Sequence, residues 1–272
     1  MVLLLVDLAI VKSKIMKKVK LVFALFVSVA MLITSFYSCK KTPAPTPTPL
    51  GTLMFYLHTN VDTNEVTTLG VPYIMNKGAR KISVNVAQLY ISGIQLTKSD
   101  SSTFNFPHTI ILQKQQTKPY TIGEIPLGNY VSVKFNVGLN PTVNASNPAA
   151  ADSTLNQPAM WFSTTAQPST YVFVNFQGTI DTSATANGDM QPFSYKIGLD
   201  SNLRTISMPI QNCSFFENQV QYIHMVVDYN KLFHGIQLNV NSNLFMNTTG
   251  ANSTALGSQI ANNIPLMFRY EN

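Results

Sequence analysis

The feature that most constrains the fold of this chain is a two-residue alternation of apolar and polar side chains that recurs after position 50. Between 131 and 137, every second residue is Val or Phe, and Ser132, Lys134 and Asn136 lie between them. Such alternation is typical of strands that bury one face. No regular helical segments separate the alternating runs, so the pattern predicts an all-β domain, an antiparallel sandwich or a related barrel with long loops.

Similar alternation predicts the other strands. They fall at 53–58, 82–87, 89–96, 170–180, 193–198, 203–209 and 220–228. Gly93 lies where the alternation changes phase, which indicates a β-bulge. Two short helices are expected, at 229–233 and at 254–262.

The segment 139–169 interrupts this pattern because it has no periodicity and is rich in Asn, Pro, Ala, Ser and Thr. A structureless connection of this length is uncommon in a compact domain. It contains Met160, Trp161 and Phe162 in succession, and Trp161 is the single tryptophan of the chain. A disordered linker has no use for three large apolar side chains together. We therefore expect part of this loop to dock on the sandwich.

The N-terminal region has the pattern of a secretory signal. Basic residues follow Met16, and residues 21–33 carry no charge. This apolar run is shorter than the roughly 20 residues that a membrane helix needs. We interpret residues 1–38 as a signal sequence, with Met16 as the expected start of translation.

Cys39 directly follows small Ser38 at the end of this signal, an arrangement that resembles a lipobox. The alternative is an ordinary signal with an incidental cysteine. Lipidation would attach several acyl chains, which suffices for stable anchoring. Residues 39–50 then form a proline-rich tether that favours polyproline II, and residues 51–272 form one β domain. The sequence thus predicts an extracytoplasmic lipoprotein on the periplasmic side of an outer membrane, with surface exposure left open.

The charge distribution and the motifs exclude several functions. The formal charge is +6, but residues 1–38 carry five Lys and one Asp, which leaves 13 basic and 11 acidic residues in the mature chain. A nucleic-acid partner is not indicated, since it would need a clustered basic face. We find no serine-hydrolase, zinc-protease or phosphate-loop motif. The sequence therefore favours a binding protein over an enzyme.

Several short segments resemble the MbnP-like family, periplasmic proteins associated with copper and methanobactin systems. The similar segments are 51–58, which ends in His58, 88–96, 125–130 and 193–198. The adjacent pair Met160 and Trp161 is similar to a Met-x-Trp segment of the family, with the spacer residue missing. The order of these segments covers nearly all of residues 51–272.

The resemblance implies copper binding. In copper-binding members a partner dihaem enzyme oxidises a tryptophan to kynurenine, which then binds copper beside histidines. Carried over, Trp161 is the modified residue and His58 a ligand. Met160 is a further candidate because thioether and imidazole donors suit Cu(I).

Other residues leave the ligand set open. His224, in an apolar strand, is either a ligand or a half-buried structural histidine. Lys196 stands where the family commonly has a histidine, and a protonated lysine is not a ligand. A non-metal module that binds glycan or protein is therefore the alternative function.

Overall fold

The computed structural model describes residues 16, 18–20, 22, 48–75, 80–147, 151, 154–162, 170–183 and 188–271. The chain divides into two compact units, Met1–Pro47 and Thr48–Asn272. In the first unit the described residues are helical. Cys39 and the predicted junction between signal and tether lie outside the described residues. No helix in the described part of the chain is both long and apolar enough to cross a bilayer.

The second unit consists mainly of β-strands, arranged over the described residues in one sheet of five strands and one of ten. The smaller sheet, sheet A, comprises β1 (Leu50–Val61), β2 (Asn64–Glu65), β7 (Lys118–Pro126), β13 (Val220–Asp228) and β15 (Phe268–Tyr270). The larger sheet, sheet B, comprises β3 (Pro72–Ile74), β4 (Lys81–Lys98), β5 (Thr103–Phe106), β6 (Ile111–Gln113), β8 (Gly128–Val137), β9 (Val172–Asp181), β10 (Met190–Gly198), β11 (Arg204–Ser207), β12 (Cys213–Phe215) and β14 (Phe245–Met246).

Short helices connect these strands. The α-helices are α1 (Pro141–Asn144), α2 (Thr249–Asn252) and α3 (Ala255–Asn263). The 3₁₀ helices are Pro158–Met160, Asp200–Asn202, Tyr229–Phe233, Asn241–Leu244 and Ile264–Met267. The two helices that the sequence predicts are present, at Tyr229–Phe233 and Ala255–Asn263.

The main core lies between the two sheets. Phe55 of β1 contacts Phe135 of β8, with ring centroids 6.1 Å apart, and Phe135 contacts Phe268 of β15 at 5.0 Å. These rings join the inward faces of sheets A and B in one hydrophobic cluster. The prediction of an all-β sandwich is therefore confirmed. All residues of both apolar clusters lie within Thr48–Asn272. This segment therefore contains its own hydrophobic core, as an independently folding domain requires.

Two strand pairs depart from a purely antiparallel sandwich. β1 pairs in parallel with β13 at the centre of sheet A, and β10 pairs in parallel with β14 in sheet B. All strands of sheet B except β14 lie between β1 and β13 in the chain, so no hairpin constrains the direction of that pair. The predicted bulge at Gly93 is present. Gly93 has φ +58°, and the β4–β8 register shifts between Ser92 and Gln95.

The loop that follows β8 packs against the outer face of sheet B, as the sequence predicts. Tyr90 of β4 points away from the main core and forms a second apolar cluster with Trp161, Met160 and Tyr171. Trp161 bridges to Tyr171, and its indole Nε1 donates to the Leu155 carbonyl at 3.3 Å. This loop thus covers the sheet face opposite to the main core.

Candidate metal centre

His58 is placed on the outer face of sheet A by strand alternation. In β1, Leu53, Phe55 and Leu57 are fully buried in the main core. Successive side chains of a strand point to opposite faces, so Tyr56 and His58 point away from that core.

The parallel pairing of β1 with β13 brings His224 beside His58. In the register, Tyr56 lies opposite His224 and His58 lies opposite Val226. The imidazole centroids of His58 and His224 are 5.8 Å apart. Tyr56 stacks on His224, with centroids 4.8 Å apart and an interplanar angle of 25°, so the ring of His224 is held in a defined position.

Strand β15 adds a carboxylate to the two histidines. It pairs with residues Met225–Val227 of β13, and the backbone N–H of Glu271 donates to the carbonyl of His224 at 3.2 Å. Oε2 of Glu271 consequently lies 2.9 Å from Nε2 of His58 and 3.1 Å from Nδ1 of His224. Three strands of sheet A therefore converge on one group of donor atoms.

The nitrogen Nε2 of His58 indicates what this group of atoms can hold. It is buried, and among the described residues no acceptor meets it with hydrogen-bond geometry, although Glu271 Oε2 is close in distance. The imidazolium form of His58 would pair with this carboxylate, and a metal cation bound by the neutral imidazole can take the place of that proton. The same groups can therefore hold either a shared proton or a metal cation.

A transition-metal ion fits these residues. One ligand atom from each of His58, His224 and Glu271 can be chosen so that all three lie within 4.8 Å of one another. Imidazole nitrogens together with a carboxylate oxygen suit divalent copper and zinc. Glu65 adds a second carboxylate nearby, with Oε1 3.7 Å from His58 Nδ1, and it accepts a hydrogen bond from the Thr117 hydroxyl.

Comparison with known proteins gives the family of the chain. The sequence profile of the MbnP family matches residues 51–249. This chain belongs to the MbnP family. Among solved structures, it is similar to MbnP from Methylosinus trichosporium, with 16% identity, a TM-score of 0.48, and coverage of 68% of this chain and 78% of that one. No curated protein matches the sequence.

In this MbnP-family chain, Trp161 and Met160 do not lie beside His58 and His224. Both belong to the apolar cluster on the outer face of sheet B, whereas His58 and His224 lie on the outer face of sheet A. Met160 is fully buried and Trp161 is 8% exposed. The sequence reasoning grouped these four residues as candidates for one copper site, but the main core of the sandwich separates the two pairs.

Lys196 lies on the same side of the sandwich as Trp161. In the β9–β10 register it pairs with Asn175, and the side-chain amide of Asn175 donates to the Ala159 carbonyl at 2.8 Å. The position at which relatives of the family commonly carry histidine is therefore close to the docked loop. In this chain that region offers a lysine and a buried tryptophan rather than imidazole donors.

The sequence reasoning did not identify Glu271. It is the penultimate residue of the chain, and the three-residue strand before it is too short to show alternation. Only the pairing of that strand with β13 brings the carboxylate to His224. Its position after a short strand gives no signal in the sequence that distinguishes Glu271 from the other acidic residues.

A cavity of about 400 Å³ adjoins two of the three donor residues. His224 and Glu271 form part of its wall, together with Cys213, Tyr222 and Tyr270. Burial raises the pKa of the Cys213 thiol to about 11, so the sulfur stays protonated at neutral pH. Burial is also the main reason that the pKa of Tyr270 rises to about 12. Among the described residues, the hydroxyl of Tyr270 has no hydrogen-bond partner.

Proposed function

We propose that this chain is a non-enzymatic, lipid-anchored extracytoplasmic protein that binds a copper ion between His58, His224 and Glu271. The observation that carries the proposal is the convergence of the three donors, with Glu271 Oε2 2.9 Å from the buried Nε2 of His58 and 3.1 Å from Nδ1 of His224. Membership of the MbnP family, which is linked to copper and methanobactin, supports copper as the ion.

The donor set favours Cu(II) over Cu(I). A carboxylate oxygen and imidazole nitrogens suit the divalent ion, whereas a thioether would favour the monovalent one. The candidate thioether Met160 lies on the other outer face. Among divalent first-row metals, a site of this type binds Cu(II) most tightly. The bound ion would be cargo or a stored ion, and the protein would supply the donors.

A chelator competition tests the copper site. The domain 48–272 is titrated with Cu(II) in the presence of a chromophoric chelator, beside the variants His58→Ala, His224→Ala and Glu271→Gln. Loss of an outer-shell partner typically weakens metal binding 10- to 100-fold, so loss of a direct ligand should weaken it by at least about 100-fold. His108→Ala is the matched control, because His108 is exposed in a turn and should leave the affinity unchanged.

Two results would contradict the copper site. One is an affinity of the unaltered domain no higher than that of a single exposed histidine. The other is equal affinity in the domain, the three ligand variants and the His108 control. Either result would favour the alternative function, a module that binds glycan or protein without a metal.

The anchor is a separate part of the proposal. We expect Cys39 to carry the lipid, because it follows Ser38 at the end of the signal. Cells that express the full chain should incorporate labelled palmitate into it, and the protein should fractionate with the outer membrane. The variant Cys39→Ser should take up no label and appear in the soluble periplasmic fraction. Equal labelling of both proteins would place the lipid elsewhere.

A further inference from the structure

We propose that the cavity beside the metal centre binds a small nitrogen–oxygen chelator of amino-acid size, which completes the coordination of the bound ion. This inference rests on the proposed copper site and names the ligand that shares it. The protein contributes one ligand atom each from His58, His224 and Glu271. Three protein ligands leave coordination positions open, as in metal sites that receive an exogenous ligand, and Cu(II) prefers at least four donors.

The cavity lies where such a ligand can reach the ion. Two of the three donor residues, His224 and Glu271, belong to its wall. Its volume of about 400 Å³ falls within the range of roughly 300–1,000 Å³ that is typical of small-molecule sites. A chelator in this cavity therefore contacts two of the three residues that would hold the ion.

The cavity follows from the way the edge of sheet A is built. Strand β15 covers β13 only at Met225–Val227, and the contact from Glu271 to the His224 carbonyl is the last one along that edge. Gln221–Ile223 continue the edge without a strand partner on that side, among the described residues. Strand β12, which carries Cys213, lies across the gap. The opening is thus fixed by strands on both sides.

The lining defines the class of ligand. Amide side chains of Gln211, Asn212 and Gln221 offer hydrogen bonds, and the rings of Tyr222 and Tyr270 offer apolar surface. The wall contains no lysine or arginine among the described residues. A carboxylate away from the metal would find no counter-charge there, so a ligand with a carboxylate would bind through it to the metal. An amino acid can bind the metal through its amine and its carboxylate, and its side chain can contact the amides and rings of the wall.

The test uses glycine as the probe and Cu(II)-loaded domain 48–272 as the protein. Glycine is titrated while the visible absorption and the electron paramagnetic resonance spectrum are recorded, and copper is measured in the protein fraction after desalting. The expected result is a new spectrum with copper still bound to the protein. Departure of copper as free glycinate complex would overturn the proposal, and so would an unchanged spectrum.

Two substitutions at one position separate the cavity from the thiol. Cys213→Phe fills the space without altering any proposed ligand, so it should keep the Cu(II) affinity and weaken the response to glycine by about tenfold or more. Cys213→Ser removes the sulfur but keeps the space, and it should respond like the unaltered domain. If Cys213→Phe fails to fold, Asn212→Trp at the exposed rim serves the same purpose.

A variant with a filled cavity that responds to glycine as strongly as the unaltered domain would overturn the proposal. Thr121→Trp provides the matched control, because Thr121 lines a different cavity of about 290 Å³ and should leave the response unchanged. Failure of the copper site itself would appear earlier, as absent Cu(II) binding in the chelator competition, and is therefore distinguishable.

Discussion

At the residue scale, the direction of His58 follows from its alternation with Leu53, Phe55 and Leu57, which are buried in the core. His224, interpreted from the sequence as either a ligand or a half-buried structural histidine, is exposed in the structure. Their proximity could not be predicted, because it depends on a parallel register between strands separated by about 160 positions in the sequence. The role of Glu271 depends on that same register together with a short terminal strand.

Trp161 gives a prediction at this scale, as a packing residue of the docked loop. The substitution Trp161→Ala should lower the free energy of unfolding by about 3–5 kcal/mol, since it removes a large side chain from a buried cluster. The Cu(II) affinity of the folded variant should be unchanged, because the metal centre lies on the other outer face. Denaturant unfolding and the chelator competition measure the two quantities.

The opposite pattern would contradict this role. A Trp161→Ala variant of unaltered stability but greatly reduced copper affinity would indicate that Trp161, or kynurenine made from it by a dihaem partner, is a ligand. Intact mass of the protein purified from its native membrane provides the independent measurement. The buried position of the indole and its bond to Leu155 lead us to expect the mass of unmodified tryptophan.

At the scale of elements, alternation predicted the long strands β1, β4, β8, β9, β10 and β13, and the shorter β11. It did not predict β7 (Lys118–Pro126) or the remaining strands of two to four residues, most of which are too short to show a period. The bulge in β4 was also predictable, since Gly93 lies at the change of phase. The direction of β13 beside β1 was not, because alternation states which face is buried and says nothing about the neighbouring strand. The docked loop had no periodicity, and only its cluster of large apolar side chains indicated that it packs on the sandwich.

Gly93 gives a prediction at the element scale. Its φ is +58°, and a Cβ there would lie 2.6 Å from the side-chain amide nitrogen of Asn136. Both the strained backbone and the collision oppose any other residue, so Gly93→Ala should destabilise the domain by about 1–3 kcal/mol. Thermal or denaturant unfolding of the variant measures this loss.

Gly250 offers the matched control for that measurement. It lies in helix α2, and the atom nearest to an added Cβ is the Thr248 hydroxyl at 4.0 Å. Gly250→Ala should therefore be neutral or stabilising by up to about 1 kcal/mol. Equal destabilisation by both substitutions would show that the bulge geometry of β4 is not what makes Gly93 necessary.

At the scale of the whole molecule, the two outer faces of the sandwich carry different features. The outer face of sheet B is covered by the docked loop with Trp161, and the outer face of sheet A carries the three converging donors. Strand β1 begins at Leu50 and reaches His58 after eight residues. At about 3.3 Å per residue, His58 lies roughly 26 Å along β1 from the start of that strand.

The central claim is that copper binds between His58, His224 and Glu271, and locating the ion in a crystal of the Cu(II)-loaded domain tests it most directly. Anomalous scattering on either side of the copper absorption edge identifies the element and its position together. We predict one strong copper peak within bonding distance of donor atoms from these three residues. A strong peak beside Trp161 and Lys196 instead, with none at the three donors, would contradict the account.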